Sequence, residues 1–470
     1  MAMELSGIMS WSRLLGGMKY YHYCMSLMMM IFYCTYISSA AKVTHLPAFD
    51  GPLPFHLETG YVTMGESEYF YYFVESERNP SEDPLLLWLV GGPYCSGFVG
   101  MALTIGPIKF KGDSFNDTSL TVVCNPHSWT KISNIIFLDW PVGSGFSFSP
   151  NIESYISDDV RSSKEIYNFL KQWLLLNPKF LSNPVYIGGD SYGGKLVPLV
   201  THEIVQGNEL GQSQPAAALL INLKGYLVGN GVTDLKYDLN ARVPRAHGFG
   251  IISDELFEGI AESCKGNDYA KNLSADCSAN MTIFNETISE INIQNVLAPI
   301  CTWSMKSKRG RSMMEEKLIE AECSEDMTKL MTKWSNNPVV QKSLHIKEGT
   351  LEEWRFCGKD LNEKYGYNIE SAVPFHFYLA TKGYRALLYS GDHDLKIPFT
   401  GTLQWIGSLN FPVIQGWRSW HTAGQVAGYT ILFSNNFTFA TILGGNHMPA
   451  NNRPLPSFSM FERWMSHELL

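Results

Sequence analysis

Val185-Tyr186-Ile187-Gly188-Gly189-Asp190-Ser191-Tyr192-Gly193-Gly194 decides how this chain is read. An apolar, strand-like run ends in glycines, and a G-x-S-x-G pentapeptide centred on Ser191 follows at once. Glycine on both sides lets the backbone turn tightly, which lifts a serine hydroxyl clear of its neighbours. Alone the pentapeptide is weak evidence, because it arises by chance in a chain of 470 residues. Two further segments add weight. Gly391-Asp392-His393-Asp394 follows Ala386-Leu387-Leu388-Tyr389, and Gly445-Asn446-His447 follows Phe439-Ala440-Thr441-Ile442-Leu443. Serine, acid and histidine come in that chain order, each where a strand-like run ends.

That order is the α/β-hydrolase order, not that of the chymotrypsin or subtilisin folds. His447 is expected to take the Ser191 proton while Asp394 orients the imidazole. Asp392 is the rival acid. Asp394 is preferred because the carboxyl must project from the loop beyond the strand. The backbone N–H of Tyr192 is one expected oxyanion donor, and the Gly91-Gly92-Pro93 turn is the natural source of the second. Strands are expected at Pro84–Val90, Asn134–Trp140, Pro184–Gly188, Leu223–Gly229, Tyr384–Ser390 and Phe437–Leu443. These are short continuous apolar runs, as parallel strands buried on both faces require. Between them, Asp158 to Leu176 carries Val160, Ile166, Phe169, Leu170, Trp173 and Leu174 on one helical face, with Ser157 as N-cap. The alternation predicts an α/β-hydrolase fold: a doubly wound, mostly parallel sheet with an inserted cap.

Composition narrows the function. Hydrophobic content is 45%, charged content 17% and net charge −9. Without a long basic block, nucleic acid is excluded as an expected partner. Arg13 and Lys19, the uncharged run Cys24 to Ile37 and the small residues Ser38-Ser39-Ala40 read as a signal peptide over residues 1–40. The competing reading, a membrane anchor, asks for about 20 apolar residues, and this run is shorter. No stable anchor is expected. The signal directs the chain to the secretory pathway, extracellular or vacuolar. Seven cysteines remain beyond it: Cys95, Cys124, Cys264, Cys277, Cys301, Cys323 and Cys357. Six can pair, and the residues alone leave the connectivity open. Sequons at Asn116, Asn272, Asn280, Asn285 and Asn436 fit secretion, and three of them suggest an exposed stretch over 272–287. Zinc spacing is absent, so neither metal nor cofactor is expected. The hydrolase core is expected at 41–240 and 336–470. A cap insertion at 241–335 carries a basic run (Lys306, Lys308, Arg309, Arg311), read as a solvated loop or a protease-sensitive linker.

With these segments assembled, the chain resembles the serine carboxypeptidase-like family of plants from about Leu53 to the C-terminus. The resemblance is carried by Trp88-Leu89-Val90-Gly91-Gly92-Pro93-Tyr94-Cys95-Ser96, by Gly189–Gly193 and by Gly391–Asp394. Phe137–Ser147 and Ala246-His247-Gly248 also resemble family segments. It implies that Gly92 and Tyr192 donate the oxyanion hydrogen bonds, and that Trp88, Val90, Gly91 and Asp190 meet the substrate. It further implies disulfides Cys95–Cys357, Cys264–Cys277 and Cys301–Cys323, with Cys124 free.

The family divides into peptidases and acyltransferases. Its peptidases carry Glu before the nucleophile and Asn after the Trp-Leu pair, which together hold the substrate carboxylate. Here those positions are Asp190, one methylene shorter, and Val90, which donates no side-chain hydrogen bond. Asp190 resembles the branch that moves acyl groups from 1-O-glucose esters to an alcohol or a second sugar. Thr or Ser is usual at position 90 in that branch, so Val90 departs from both. Tyr94 and Asn446 replace glycines, and Met448-Pro449-Ala450 replaces Thr-Ala-Pro. All three changes are expected to crowd the site. The resemblance implies an acyltransferase whose partners are a small acyl-glucose donor and an alcohol acceptor. A carboxypeptidase and a catalytically impaired, ligand-binding member are the alternatives. Oligomeric state is left open.

Overall fold

The structure is a computed structural model that describes residues 40–112, 120–213, 219–265, 269, 271, 273–300, 324–350 and 352–470. The expected signal segment up to residue 39, the basic run and the Cys301 and Cys323 pair lie outside them. So do the sequons at Asn116 and Asn272.

Among the described residues the strands are β1 (Ala41–Val43), β2 (Leu57–Met64), β3 (Ser67–Val74), β4 (Leu85–Leu89), β5 (Ile108–Lys111), β6 (Thr121–Cys124) and β7 (Asn134–Leu138). They continue with β8 (Val185–Asp190), β9 (Leu223–Gly229), β10 (Arg385–Gly391), β11 (Val413–Thr422), β12 (Gln425–Phe433) and β13 (Phe437–Ile442). β5 and β6 form a separate hairpin, and the other eleven form one sheet in the order β1-β2-β3-β7-β4-β8-β9-β10-β13-β12-β11. The six central strands, β7 to β13 in that order, run parallel. They are the six runs expected from sequence. Antiparallel strands flank them on both sides. The result is the expected α/β-hydrolase arrangement, widened by antiparallel edges.

The central strands read as continuous apolar runs because each face of the sheet has its own core. Leu85, Leu87 and Leu89 of β4 enter one cluster, while Leu86 and Trp88 enter the other. The first cluster is covered by helix α1 (Asp159–Leu176) and helix α2 (Gly193–Ser213), which meet it through Ile166, Phe169, Trp173, Leu196 and Val200. Burying such side chains contributes roughly 1.5–3 kcal/mol each. The second is closed by Met460, Phe461 and Trp464 near the C-terminus. In α1 the apolar face is as expected, except that Val160 turns outward at 38% exposure. The cap also differs from expectation. Asp158, not Ser157, is the N-cap, and its carboxylate accepts the Arg161 N–H at 2.8 Å. A carboxylate there also meets the positive end of the helix dipole.

Between β9 and β10 the chain leaves the sheet. Helices α3 (Asp254–Cys264) and α4 (Ala275–Ser289) form a small core of their own with Val243, Ala246, Ile252, Phe284 and Leu395. Cys264–Cys277 links these two helices, and Cys95–Cys357 links the loop after β4 to the second half of the chain. Both pairings are those the family resemblance implied, and Cys124 is free and exposed. Among the described residues no helix is long and apolar enough to cross a membrane.

Candidate active site

The parallel register brings five loops to one end of the sheet. Leu89 pairs with Gly189, Asp190 with Gly229, Gly229 with Tyr389, and Gly391 with Ile442. The loops after these strands therefore share the carboxyl edge, where open α/β sheets gather their ligand-binding residues. They carry Gly91 and Gly92, Ser191, Asn230, Asp394 and His447.

Ser191 sits at φ +50, in the left-handed region that a side chain occupies only in a forced turn. Glycine makes the turn fit. A Cβ on Gly193 would lie 2.2 Å from the Leu89 carbonyl oxygen, and one on Gly91 would lie 2.5 Å from Ser191 Cβ. The His447 Nε2 is 2.9 Å from Ser191 Oγ, and its Nδ1 is 2.7 Å from Asp394 Oδ2. Asp394 is fully buried and His447 is 4% exposed. Asp394 Oδ2 also accepts Asn230 Nδ2–H at 2.8 Å, and its Oδ1 accepts the Lys396 N–H at 2.8 Å. Asp392, the rival acid, faces elsewhere: its Oδ1 contacts His393 Nδ1 at 2.8 Å and accepts the Gly444 N–H at 2.7 Å. Such a relay can accept the Ser191 proton at Nε2 while Nδ1–H stays on Asp394.

Sequence reasoning missed two supports. Asn230 holds both Asp394 and, through its side-chain Oδ1, the Gly391 N–H at 3.0 Å. The Asn-Gly pair after the Leu223–Gly229 run was the available signal. Residues 293–296 also strap the two triad loops: His447 donates its N–H to Gln294 O at 2.8 Å, and Leu395 donates to Ile293 O at 2.8 Å. Nothing local in the sequence marks that strap.

Gly91, Gly92, Tyr192 and Asp190 come together beside Ser191. No backbone bond within the described residues uses the Gly92 or Tyr192 N–H. Asp190 Oδ1 accepts the Gly91 N–H at 3.1 Å, so the carboxylate is tied to the glycine turn. Burial pushes the Asp190 carboxyl up to about 6, against the pull of the Gly91 bond and of His447. Val90 is 5% exposed and Trp88 only 1%, with its indole edge-on to Trp129 at 5.4 Å. As packed, the Trp88 ring belongs to the core and not to a substrate surface.

The replaced glycines cause less crowding than the sequence suggested. Tyr94 does occupy φ +65, a conformation costing about 1–2 kcal/mol for a non-glycine residue. Its side chain, however, is fully buried in the core, with the hydroxyl donating to Tyr155 O at 2.7 Å. Asn446 turns its side-chain oxygen onto the Met448 N–H at 2.9 Å, capping the turn after His447. Among the sequons, Asn285 and Asn436 are exposed. Asn280 is half-buried and donates its amide to Gly259 O at 3.0 Å and Ser263 Oγ at 3.1 Å. Among the described residues His56, Glu58 and Glu75 have metal-ligand atoms within 4.8 Å of one another, but Lys179 already donates to Glu75. A cavity lined by Pro84, Pro184, Lys224 and Arg385 lies at the amino ends of the strands, away from this site.

The buried acids set a pH dependence of stability. Burial raises Asp139 and Asp238 from an ordinary 3.8 to about 7, and Asp190 to about 6. The folded chain therefore holds these protons from about pH 4 up to about 7 at Asp139 and Asp238 and about 6 at Asp190, where the unfolded chain has lost them. Stability from these groups falls as pH rises through that window. His376 opposes them, because burial lowers it to about 3 and its contribution is lost as pH falls below 6.5. Three groups outweigh one. The melting temperature should be higher at pH 5 than at pH 7.5 by several degrees, and a lower value at pH 5 would contradict the assignment.

Comparison with known proteins places this geometry. A family model described as serine carboxypeptidase matches residues 47–467. Serine carboxypeptidase-like 17 of Arabidopsis thaliana is 41% identical over 438 residues, covering 92% of this chain and 95% of that protein. Serine carboxypeptidase-like 3 of the same plant is 43% identical over 441 residues, covering 93% and 94%. Among solved structures, a prohormone-processing carboxypeptidase of Saccharomyces cerevisiae aligns with a TM-score of 0.70 and 20% identity, over 88% of this chain and 92% of that one. That likeness concerns the fold alone. A family match across nearly the whole folded region, with serine, histidine and aspartate in hydrogen-bonded sequence at the sheet edge, shows that the chain belongs to the serine carboxypeptidase family.

Proposed function

We propose that this protein transfers an acyl group from a 1-O-glucose ester to an alcohol or sugar acceptor through an acyl–Ser191 intermediate. Ser191 Oγ attacks the ester carbonyl as its proton passes to His447 Nε2. The oxyanion meets the N–H groups of Gly92 and Tyr192. The intermediate then collapses, and the imidazolium returns the proton to the departing glucose oxygen. An acceptor hydroxyl next gives its proton to His447 and attacks the acyl carbon, and the imidazolium returns that proton to Ser191 Oγ as the acyl–Oγ bond breaks. Asp394 stays ionised and keeps the ring oriented throughout.

Position 190 carries the reading. A peptidase must place a free carboxylate beside Asp190, and two close carboxyl groups require a shared proton. Burial holds the Asp190 carboxyl near 6 in the free site, so supplying that proton costs more as pH rises above this value. Its Oδ1 is already engaged with Gly91, and Val90 offers no donor. A neutral sugar ester needs no such proton, and its hydroxyls can donate to the carboxylate. Transfer from an acyl-glucose ester should therefore persist above pH 6, whereas any cleavage of a blocked dipeptide should decline there. Val90→Asn with Asp190→Glu should raise peptide cleavage roughly tenfold or more, the worth of one charge-assisted hydrogen bond. Efficient wild-type peptide cleavage, with no turnover of glucose esters, would establish the carboxypeptidase reading instead.

We place this reaction in the secretory pathway, outside the cell or in the vacuole. The signal-like N-terminus and the two disulfides support that setting.

A further inference from the structure

Asp159 is the first residue of α1 and is fully buried. Its Oδ1 accepts the Tyr192 hydroxyl at 2.5 Å and the Tyr365 hydroxyl at 3.2 Å, and its Oδ2 accepts the Ile369 N–H at 2.9 Å. The Asp159 N–H in turn donates to Gly366 O at 3.3 Å. The Lys195 ammonium beside this group donates to the carbonyls of Ile369 and Glu370, at 2.7 and 3.1 Å. A buried carboxylate shared by three donors fixes the geometry of all of them, because losing one bond leaves a desolvated polar group.

What it fixes matters because of Tyr192, the residue directly after Ser191. The Tyr192 ring meets Tyr365 and Tyr367 edge-on, with centroids 5.8 and 5.4 Å apart. The same segment also holds the glycine turn from the other side. Cys357 is bonded to Cys95, Gly358 donates its N–H to Tyr94 O at 2.9 Å, and Asn362 Nδ2 donates to Pro93 O at 3.1 Å. Residues 357–369 therefore touch both loops that flank Ser191.

We infer that Asp159 is a positioning residue for acyl transfer at Ser191. It fixes Tyr192, and hence the N–H that meets the oxyanion, to the segment that also holds the Gly92 turn. The inference rests on the acyl-Ser191 reading above, with Tyr192 as oxyanion donor.

The test is the saturable rate of Ser191 phosphonylation by a fluorophosphonate, which develops the same oxyanion. Asp159→Asn and Tyr192→Phe should each lower the maximal labelling rate by about 10- to 100-fold, as misplaced reacting groups do. The half-saturating probe concentration should stay within about twofold, and labelling should still reach completion. The double variant should be no slower than the slower single one, because the Tyr192 hydroxyl acts through its bond to Asp159. A purely structural role would lower the melting temperature and leave the labelling rate of the folded fraction unchanged. Rates within twofold of wild type, or losses that multiply, would overturn the inference while leaving Ser191 in place. If Asp159→Asn does not fold, Tyr192→Phe keeps the ring, loses only the hydroxyl and decides the matter alone. Absence of labelling in the wild type would instead remove the acyl-Ser191 reading, and this inference with it.

Discussion

Ser191→Ala should abolish covalent labelling by a fluorophosphonate, and Asp394→Asn should lower turnover by up to ~10⁴-fold. The first follows because a serine hydroxyl reacts quickly only where a base stands within hydrogen-bond reach, and His447 Nε2 is 2.9 Å away. The second follows from the orienting bond. An amide at 394 has a single acceptor oxygen: with that oxygen on the Lys396 N–H, its NH₂ faces both the Asn230 amide and Nδ1, loses the Asn230 bond and stabilises the wrong tautomer. Asp392→Asn is the control. Its carboxylate is spent on His393 and the Gly444 N–H, so its loss should disturb the loop and cost far less turnover. A larger loss at 392 than at 394, measured on folded protein, would assign the acid wrongly here.

The second large effect is expected at Gly91. An alanine Cβ there would lie 2.5 Å from Ser191 Cβ, 2.8 Å from Tyr192 N and 3.0 Å from Asp190 O. Neither the elbow nor the sheet edge can yield easily, because Gly189 and Gly193 are already packed against Leu89. The turn carrying Gly92 must therefore move outward. Gly91→Ala should reduce turnover by about 10²–10³-fold, comparable with loss of one oxyanion donor. Gly407→Ala is the matched control: nothing lies within 4 Å of a Cβ there, and the residue is helical. It should leave activity unchanged and stabilise the chain slightly, by up to about 1 kcal/mol. Near-wild-type activity of Gly91→Ala would mean that the turn is not set by its contact with the elbow.

The parts of this molecule that could be read directly are those whose sequence signal is local. The six central strands announce themselves because burial on both faces demands unbroken apolar runs such as Leu85–Leu89 and Ile135–Leu138. The nucleophile turn is legible because its glycines are forced by close approach, and the choice of Asp394 over Asp392 followed from where a strand ends. The edge strands were not legible. β11 shows three register shifts against β12 and buries only Trp420 fully, so no period of two survives in its sequence. Asn230 and Asp159 were missed for a different reason. Their partners lie 164 and 33 residues away, at Asp394 and Tyr192, and only the folded sheet brings them together. Tyr94 shows the converse. Its positive φ was foreseeable from the glycine it replaces, but the direction of its ring, into the core against Tyr365, was not.

The most direct test of the account is to catch the acyl group on the enzyme. Purified protein would be mixed with a 1-O-acyl glucose ester without acceptor, quenched, and mapped by peptide mass spectrometry, with a blocked dipeptide run in parallel. The account predicts release of glucose, addition of one acyl mass on the peptide carrying Ser191, and loss of that mass as ester product forms when an alcohol is added. Cleavage of the dipeptide, with no acyl mass on Ser191 from the glucose ester, would contradict it.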